Sequence, residues 1–198
     1  MKVSVFDYGA GNIHSLIKAL GRDGAHVEVE SDPSAAARAD ALVLPGVGAF
    51  GHAASRLSRG LADVRSALAD GLPCLGICLG MQLLFDASDE GDGRGIGVFP
   101  GRVTRLAGGR IPQIGWNTIE DGHDPLLDAA PLSIAYYANS FVCHPDDAAC
   151  VHAWSAHGIT RFPALVREGR TVGVQFHPEK SSTAGVELVC AFLREAAQ

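Results

Sequence analysis

Cys78 lies between two glycines in Gly76-Ile77-Cys78-Leu79-Gly80, and a His177-Pro178-Glu179 triplet follows far downstream. A sulfur nucleophile has to be presented on a sharp turn built of small residues. It also needs an imidazole to take its proton and a carboxylate to hold that imidazole in one tautomer. The chain offers one well-placed candidate for each role, and the chemistry they could do together is hydrolysis through a Cys-His-Glu triad.

Residues 72–77 form a short apolar run bounded by turn signals, which predicts a buried strand, and residues 79–85 place apolar groups at helical spacing. Cys78 therefore falls where a strand meets a helix N-terminus, a nucleophile elbow with cysteine in place of serine. The flanking glycines let the backbone turn tightly and keep side-chain bulk away from the sulfur. Helix-end amides and a neighbouring imidazolium favour the thiolate of a cysteine so placed. The plainer alternative is a buried cysteine that acts as a small hydrophobe.

His177 closes a run at 171–176 that reads as a strand. If the chain stays extended, His177 and Glu179 point to the same side, because strand side chains alternate with period two. Pro178 donates no hydrogen bond and marks the end of sheet pairing. A surface histidine beside a solvated glutamate is the alternative for an isolated triplet of this kind.

The elements that must position these groups follow in a β-α-β-α rhythm. Strands are expected at 1–7, 26–30, 41–44 and 72–77, and helices at 12–20 (opened by Asn12 as cap), 33–39, 51–69 and 79–85. That rhythm implies a parallel sheet with helices on both faces. Beyond Asp89 the texture changes to Gly and Asp clusters followed by hairpin-like strands at 101–106, 133–143, 163–168 and 171–177, with a final helix at 182–196. The expected fold class is α/β, a central mixed but mostly parallel sheet in one domain spanning residues 1–198. In such sheets, sites form at the carboxyl ends of the parallel strands. Asp7, the Pro45-Gly46-Val47-Gly48 segment and Cys78 all stand at such ends.

Gly46-Val47-Gly48-Ala49-Phe50-Gly51 also spells G-x-G-x-x-G between a strand and a helix. Against dinucleotide binding, it is not in the first βα unit and no acidic residue closes a following strand at the required distance. The favoured use is to bring backbone N–H groups to a developing oxyanion, with a purely structural turn as the alternative.

Composition narrows the class further. A chain of 198 residues is long enough to bury one substantial core, and a net charge of −6 without a Lys/Arg cluster speaks against nucleic-acid binding. Five cysteines with no C-x-x-C pair argue against a disulfide framework or a structural metal site and for a reducing, cytoplasmic setting. The first residues lack the pattern of a signal peptide, and the longest uncharged apolar stretch, 72–85, is too short and glycine-broken to span a membrane. No cofactor is implied.

The residues named so far resemble the class I glutamine amidotransferases, and within them the glutaminase subunits of imidazole glycerol phosphate synthase. The resemblance covers nearly the whole chain. It rests on Phe6 through Ser15, Leu44 through Phe50, Gly76 through Leu84, Ile111 through Asn117 and Gly173 through Ser182. The elbow and the His-Pro-Glu triplet are common to the class, whereas Asp7-Tyr8-Gly9-Ala10-Gly11-Asn12, Gly115-Trp116-Asn117 and Pro178-Glu179-Lys180-Ser181-Ser182 belong to the narrower group.

The resemblance implies that Cys78 attacks the side-chain amide of L-glutamine, with His177 as base and then acid and Glu179 orienting it. It implies an oxyanion hole of the Leu79 N–H and an N–H from Gly46, Val47 or Gly48. Gln82, Glu90, Gly48 and the Ser140 backbone would hold the substrate; on residue type alone, Gln82 and Glu90 read as solvated helix-end polarity. It further implies a heterodimer with a (βα)8-barrel synthase (cyclase) subunit that receives the ammonia, met through Asn12, Trp116, Asn117 and Lys180. A core aromatic is the alternative for Trp116. Asn139 stands where the group usually has histidine, which leaves the triad unchanged. A subunit serving another acceptor, such as chorismate, and a catalytically silent regulatory module of the same fold are the competing expectations.

Overall fold

Val3, Val5, Val43, Leu75 and Ile77 pack on one face of a sheet, while Phe6, Leu42, Leu44 and Cys74 pack on the other. Strands apolar on both sides need cover on both sides, and the intervening segments supply it. The structure, a computed structural model, describes residues 1–9 and 13–198. The elements in order are β1 (Lys2–Phe6), α1 (His14–Leu20), β2 (His26–Glu30), α2 (Pro33–Ala36), β3 (Ala41–Leu44), α3 (Phe50–Leu57), α4 (Leu61–Ala69), β4 (Cys74–Ile77), α5 (Leu79–Leu83) and β5 (Phe85–Ser88). There follow β6 (Phe99–Arg105), β7 (Gln113–Thr118), α6 (Pro125–Ala129), β8 (Ile134–Asn139), β9 (Phe141–Pro145), β10 (Val151–His157), β11 (Thr160–Glu168), β12 (Thr171–Val174) and α7 (Ser182–Ala196).

Among the described residues, a seven-stranded sheet runs in the order β10-β11-β12-β4-β3-β1-β2. The pairs from β12 to β2 are parallel, and β10 and β11 join antiparallel at one edge. Residues of α1, α6 and α7 fill the core on one face; those of α2, α3, α4 and α5 fill it on the other. The mostly parallel sheet with two covered faces is thus the fold that the sequence implies. Two smaller sheets, β5-β6-β9 and β7-β8, lie outside it.

Several expectations are corrected. The expected helix start at Asn12 lies outside the described residues. The stretch 51–69 is two helices, broken by a 3-10 turn at Ser58–Gly60, where Gly60 leaves room for α2: a Cβ there would fall 2.6 Å from Ser34 Oγ. The helix at 33–39 stops at Ala36. The elbow helix ends at Leu83 and is followed by a strand, β5, that the helical spacing concealed. The run 133–143 is not one strand: at Ser140 it passes from β8, paired with β7, to β9, paired with β6. Asn139 Nδ2 donates to the Phe141 carbonyl at 3.1 Å across that break. β7 and β10, which the sequence reading left unassigned, complete the sheets.

The C-terminal end of α7 is held by a buried ionic cluster. Arg167 donates twice to Asp124, at 2.7 and 2.9 Å, and to Glu195 at 2.6 Å. Asp124 is fully buried and also accepts from His152 at 2.9 Å and from the Leu126 N–H at 2.9 Å. Burial alone would raise its pKa, but the hydrogen bonds and charges of Arg167, Leu126 and His152 outweigh it and hold the carboxyl below its usual range.

Gly80 carries the tightest constraint near the elbow. A Cβ there would fall 1.9 Å from the Leu44 carbonyl oxygen, and one on Gly76 would fall 2.8 Å from the Gly80 backbone. Helix α5 can therefore lie against β3 and β4 only with glycine at both places. Gly80→Ala is expected to destabilise the fold by about 3 kcal/mol, the upper range for forced overpacking, seen as a lowered urea midpoint. An unchanged midpoint would show that the elbow can move away.

Candidate active site

The turn at Cys78 is strained as a nucleophile elbow requires: φ is +48° and ψ −101° at a residue that is not glycine. The Cys78 N–H donates to the Val174 carbonyl at 2.7 Å, and the Gln82 N–H donates to the Cys78 carbonyl at 3.1 Å. The turn is thus fixed to strand β12 on one side and to α5 on the other. Because β12 is the parallel neighbour of β4, with Val174 level with Ile77, the chain leaving β12 passes beside the sulfur. That places His177 within reach.

The His177 ring comes beside Cys78 at Gly46, and its Nδ1 lies 2.9 Å from Glu179 Oε1. The Nδ1–H donates to the carboxylate, which leaves Nε2 for the sulfur. Both members of the His–Glu pair are largely buried. The sequence expectation of an extended His-Pro-Glu is corrected here: Pro178–Lys180 is a 3-10 turn, and the turn, not strand alternation, folds the carboxylate back onto the ring. Burial opposes the imidazolium, yet the hydrogen bonds and charges of Cys78 and Glu179 prevail and push the His177 pKa up to about 9.

Ser181 locks this turn. It is fully buried; its Oγ donates to the His177 carbonyl at 2.6 Å and accepts from the Tyr136 N–H at 2.9 Å. The His177 N–H in turn donates to the Tyr136 carbonyl at 2.8 Å. The imidazole is therefore held by strand β8 as well as by its own turn. Sequence reasoning assigned Ser181 no role, although a hydroxyl four residues after a histidine in a tight turn is a legible signal.

The glycine loop comes to the same place. A Cβ on Gly46 would fall 2.9 Å from His177 Cε1 and 3.0 Å from Cys78 Cβ. The missing side chain is what allows the ring and the sulfur to meet. Gly48, at φ +114°, is exposed in the same loop. Leu79 begins α5 directly after the sulfur.

The other expected residues take the following places. Gln82 is buried next to the elbow and donates to the Phe141 carbonyl at 3.0 Å. Glu90 is exposed, and its carboxylate accepts from the Phe50 N–H at 2.8 Å, closing the end of the glycine loop. The Ser140 carbonyl accepts from the Leu106 N–H at 2.9 Å. Trp116 is not a core aromatic: it is 56% exposed, stands edge-on to Tyr136 and shares the outer face of the β7-β8 ribbon with Ile114 and Ile134. Lys180 is exposed with its Nζ 6.0 Å from the Tyr136 ring. Asn117 turns inward and donates to the Ala156 carbonyl at 2.8 Å, bracing β7 against β10. Asn12 lies outside the described residues. Among the described residues, no group of three or more His, Cys, Asp or Glu is arranged to hold a metal ion.

The family model for class-I glutamine amidotransferases matches residues 4–196. The chain belongs to this family. Among curated amidotransferase relatives, imidazole glycerol phosphate synthase subunit HisH of Symbiobacterium thermophilum is 45% identical over 194 residues, covering 95% of this chain and 91% of that protein. The protein of the same name from Synechocystis is 39% identical, covering 98% and 97%. A crystal structure of a glutamine amidotransferase superposes with a TM-score of 0.77 at 23% identity, covering 99% of each chain. That likeness shows the amidotransferase fold. Among the described residues, no helix is long and apolar enough to cross a membrane.

Two outcomes follow from this geometry. Gly46→Ala should separate ring and sulfur and lower glutamine turnover by about a hundredfold, as misplacement of about an ångström can; turnover within threefold of wild type contradicts the packing argument. The second concerns His177. Its pKa is raised, so its pairing stabilises the fold fully below about 6.5 and is lost as pH rises through about 9. In Glu179→Gln, loss of a charged hydrogen bond should lower the His177 midpoint in an NMR titration by about one unit. An unmoved midpoint would remove Glu179 from the pair.

Proposed function

We propose that this chain is the glutaminase subunit of an imidazole glycerol phosphate synthase, with Cys78, His177 and Glu179 as its triad. The observation that carries the reading is the alignment of those three residues at the carboxyl edge of the sheet, on a strained elbow, in a chain whose curated relatives bear that name along nearly their whole length.

In this reading the Cys78 thiolate adds to the side-chain amide carbon of L-glutamine. The oxyanion is met by the Leu79 N–H and by an N–H of the Gly46-Val47-Gly48 segment, a donor of a kind whose loss costs about 2.7–4 kcal/mol. His177, raised to about 9, is protonated at neutral pH and gives its proton to the leaving nitrogen, so ammonia departs and a glutamyl thioester remains. Water then adds to the thioester with His177 as base, and glutamate leaves with the thiol restored. Gln82, Glu90, Gly48 and the Ser140 backbone hold the amino-acid end of the substrate.

Ammonia released into neutral water becomes ammonium, which has no lone pair to attack with. A (βα)8-barrel cyclase subunit, joined as a heterodimer, would take it directly for synthesis of imidazole glycerol phosphate and an aminoimidazole carboxamide ribotide in histidine biosynthesis. The outer face of β7 and β8, with Trp116 at its centre and Lys180 beside it, suits such a partner, since exposed aromatic anchors dominate protein interfaces.

Cys78→Ala should abolish glutamine-dependent synthesis by the reconstituted complex while added ammonium salts still support it. Glutamine hydrolysis retained in that variant would dismiss the triad. Dependence on a chorismate-binding chain instead of a barrel would redirect the acceptor, and absence of hydrolysis with any partner would leave a silent module.

A further inference from the structure

Gln175 lies in the last turn of chain before the triad histidine, and its side chain is fully buried. Parallel pairing of β12 with β4 sets Val174 level with Ile77, and the residues that directly follow the two strands, Gln175 and Cys78, come side by side. The Gln175 Nε2 donates toward Cys78 Sγ at 3.5 Å. Its Oε1 accepts from Gln82 Nε2 at 3.4 Å, and that Gln82 nitrogen also donates to the Phe141 carbonyl. The amide is thereby oriented: with oxygen committed to a donor, nitrogen faces the sulfur.

A primary amide buried just beyond the end of an apolar strand is costly unless its hydrogen bonds are made. Here one of them is made to the reacting atom. A thiol sulfur is a weak acceptor and a thiolate a much stronger one, so the N–H favours the charged form. The His177 ring, backed by Glu179, also comes beside Cys78; Cys143 interacts with it electrostatically, its own thiol pushed up by burial first and then by Cys78 and Cys150. Cys143 therefore stays neutral and adds no competing charge.

We propose that Gln175 is a further member of the catalytic apparatus, its amide N–H stabilising the Cys78 thiolate while its carbonyl ties the sulfur to Gln82. The proposal rests on the reading of Cys78 as nucleophile, and it gives Gln82 two duties, one toward substrate and one toward the amide that supports the sulfur.

The test uses the full chain, alone for alkylation and with its barrel partner for turnover. Iodoacetamide labelling of Cys78 is followed against pH by mass spectrometry of the Cys78 peptide in wild type, Gln175→Met, Gln175→Glu and Gln82→Leu. Gln175→Met keeps length and removes the donor. It should slow labelling at neutral pH about tenfold and displace the labelling profile upward by about one pH unit, with kcat for glutamine falling similarly and KM within about twofold. Gln175→Glu should slow it further, and Gln82→Leu should give a smaller displacement in the same direction. Wild-type profiles in the folded variants overturn the proposal, and Gln82→Leu with Gln175→Glu decides the matter if Gln175→Met does not fold. Displaced profiles in a protein that never hydrolyses glutamine would uphold the amide–sulfur link and sink the glutaminase reading. Unmoved profiles in an active glutaminase would do the reverse.

Discussion

Everything in the site depends on one backbone conformation, the positive φ of Cys78. An L-residue reaches that conformation at a cost of about 1–3 kcal/mol and keeps it only where its surroundings leave no alternative. Here they do so by close backbone contact. Gly76 and Gly80 let α5 lie directly on β3 and β4, with the Leu44 carbonyl where a side chain would otherwise stand. The hydrogen bond from the Cys78 N–H to Val174 ties the turn to the neighbouring strand. The elbow is thus a product of sheet packing, and the sulfur's direction follows from it.

The second requirement is adjacency. β4 and β12 are far apart in sequence and side by side in the sheet, which is how a cysteine and a histidine separated by most of the chain share one edge. The imidazole is then aimed by bonds to its turn, to Ser181 and to strand β8. Gly46 supplies the remaining room from β3. Four elements meet at the sulfur, and each contributes backbone geometry as much as side-chain chemistry.

Much of this was legible in the residues. The mostly parallel sheet follows from the alternation of strand and helix spacing, and the turn at Cys78 with its glycines from a few neighbouring residues; the approach of His177 to Cys78 needs β12 beside β4 and follows from no local spacing. The glycine loop was favoured as an oxyanion donor on the weaker ground that a nucleophile stood nearby; the structure sets its Gly46 against His177 and Cys78. What stayed hidden was long-range. The passage from β8 to β9 at Ser140 depends on two different partner strands, and a continuous apolar-polar run gives no sign of the change. β5 looked helical because the apolar spacing of α5 continues into it. Asn117 was expected at the partner surface with Trp116; that strand alternation turns its side chain toward β10 was not legible. Gln175 had a readable signal, a polar residue inside an apolar strand; what it touches became visible only once β12 lay beside β4.

Helix α7 is fastened at both ends, and the two fastenings differ in kind. At its start, Gly185 packs where a Cβ would sit 2.3 Å from the Pro178 carbonyl, so the helix abuts the triad turn through close steric fit. At its finish, Arg167, itself held by Asp124, grips Glu195 through charge. Charge is the fastening that acid can undo. The depressed Asp124 carboxyl contributes stability above its unfolded value, near 4, and that contribution drains away as pH falls through the still lower folded value. Acidification would therefore slacken this strut from the end remote from the triad turn, leaving the helix fastened by steric fit alone.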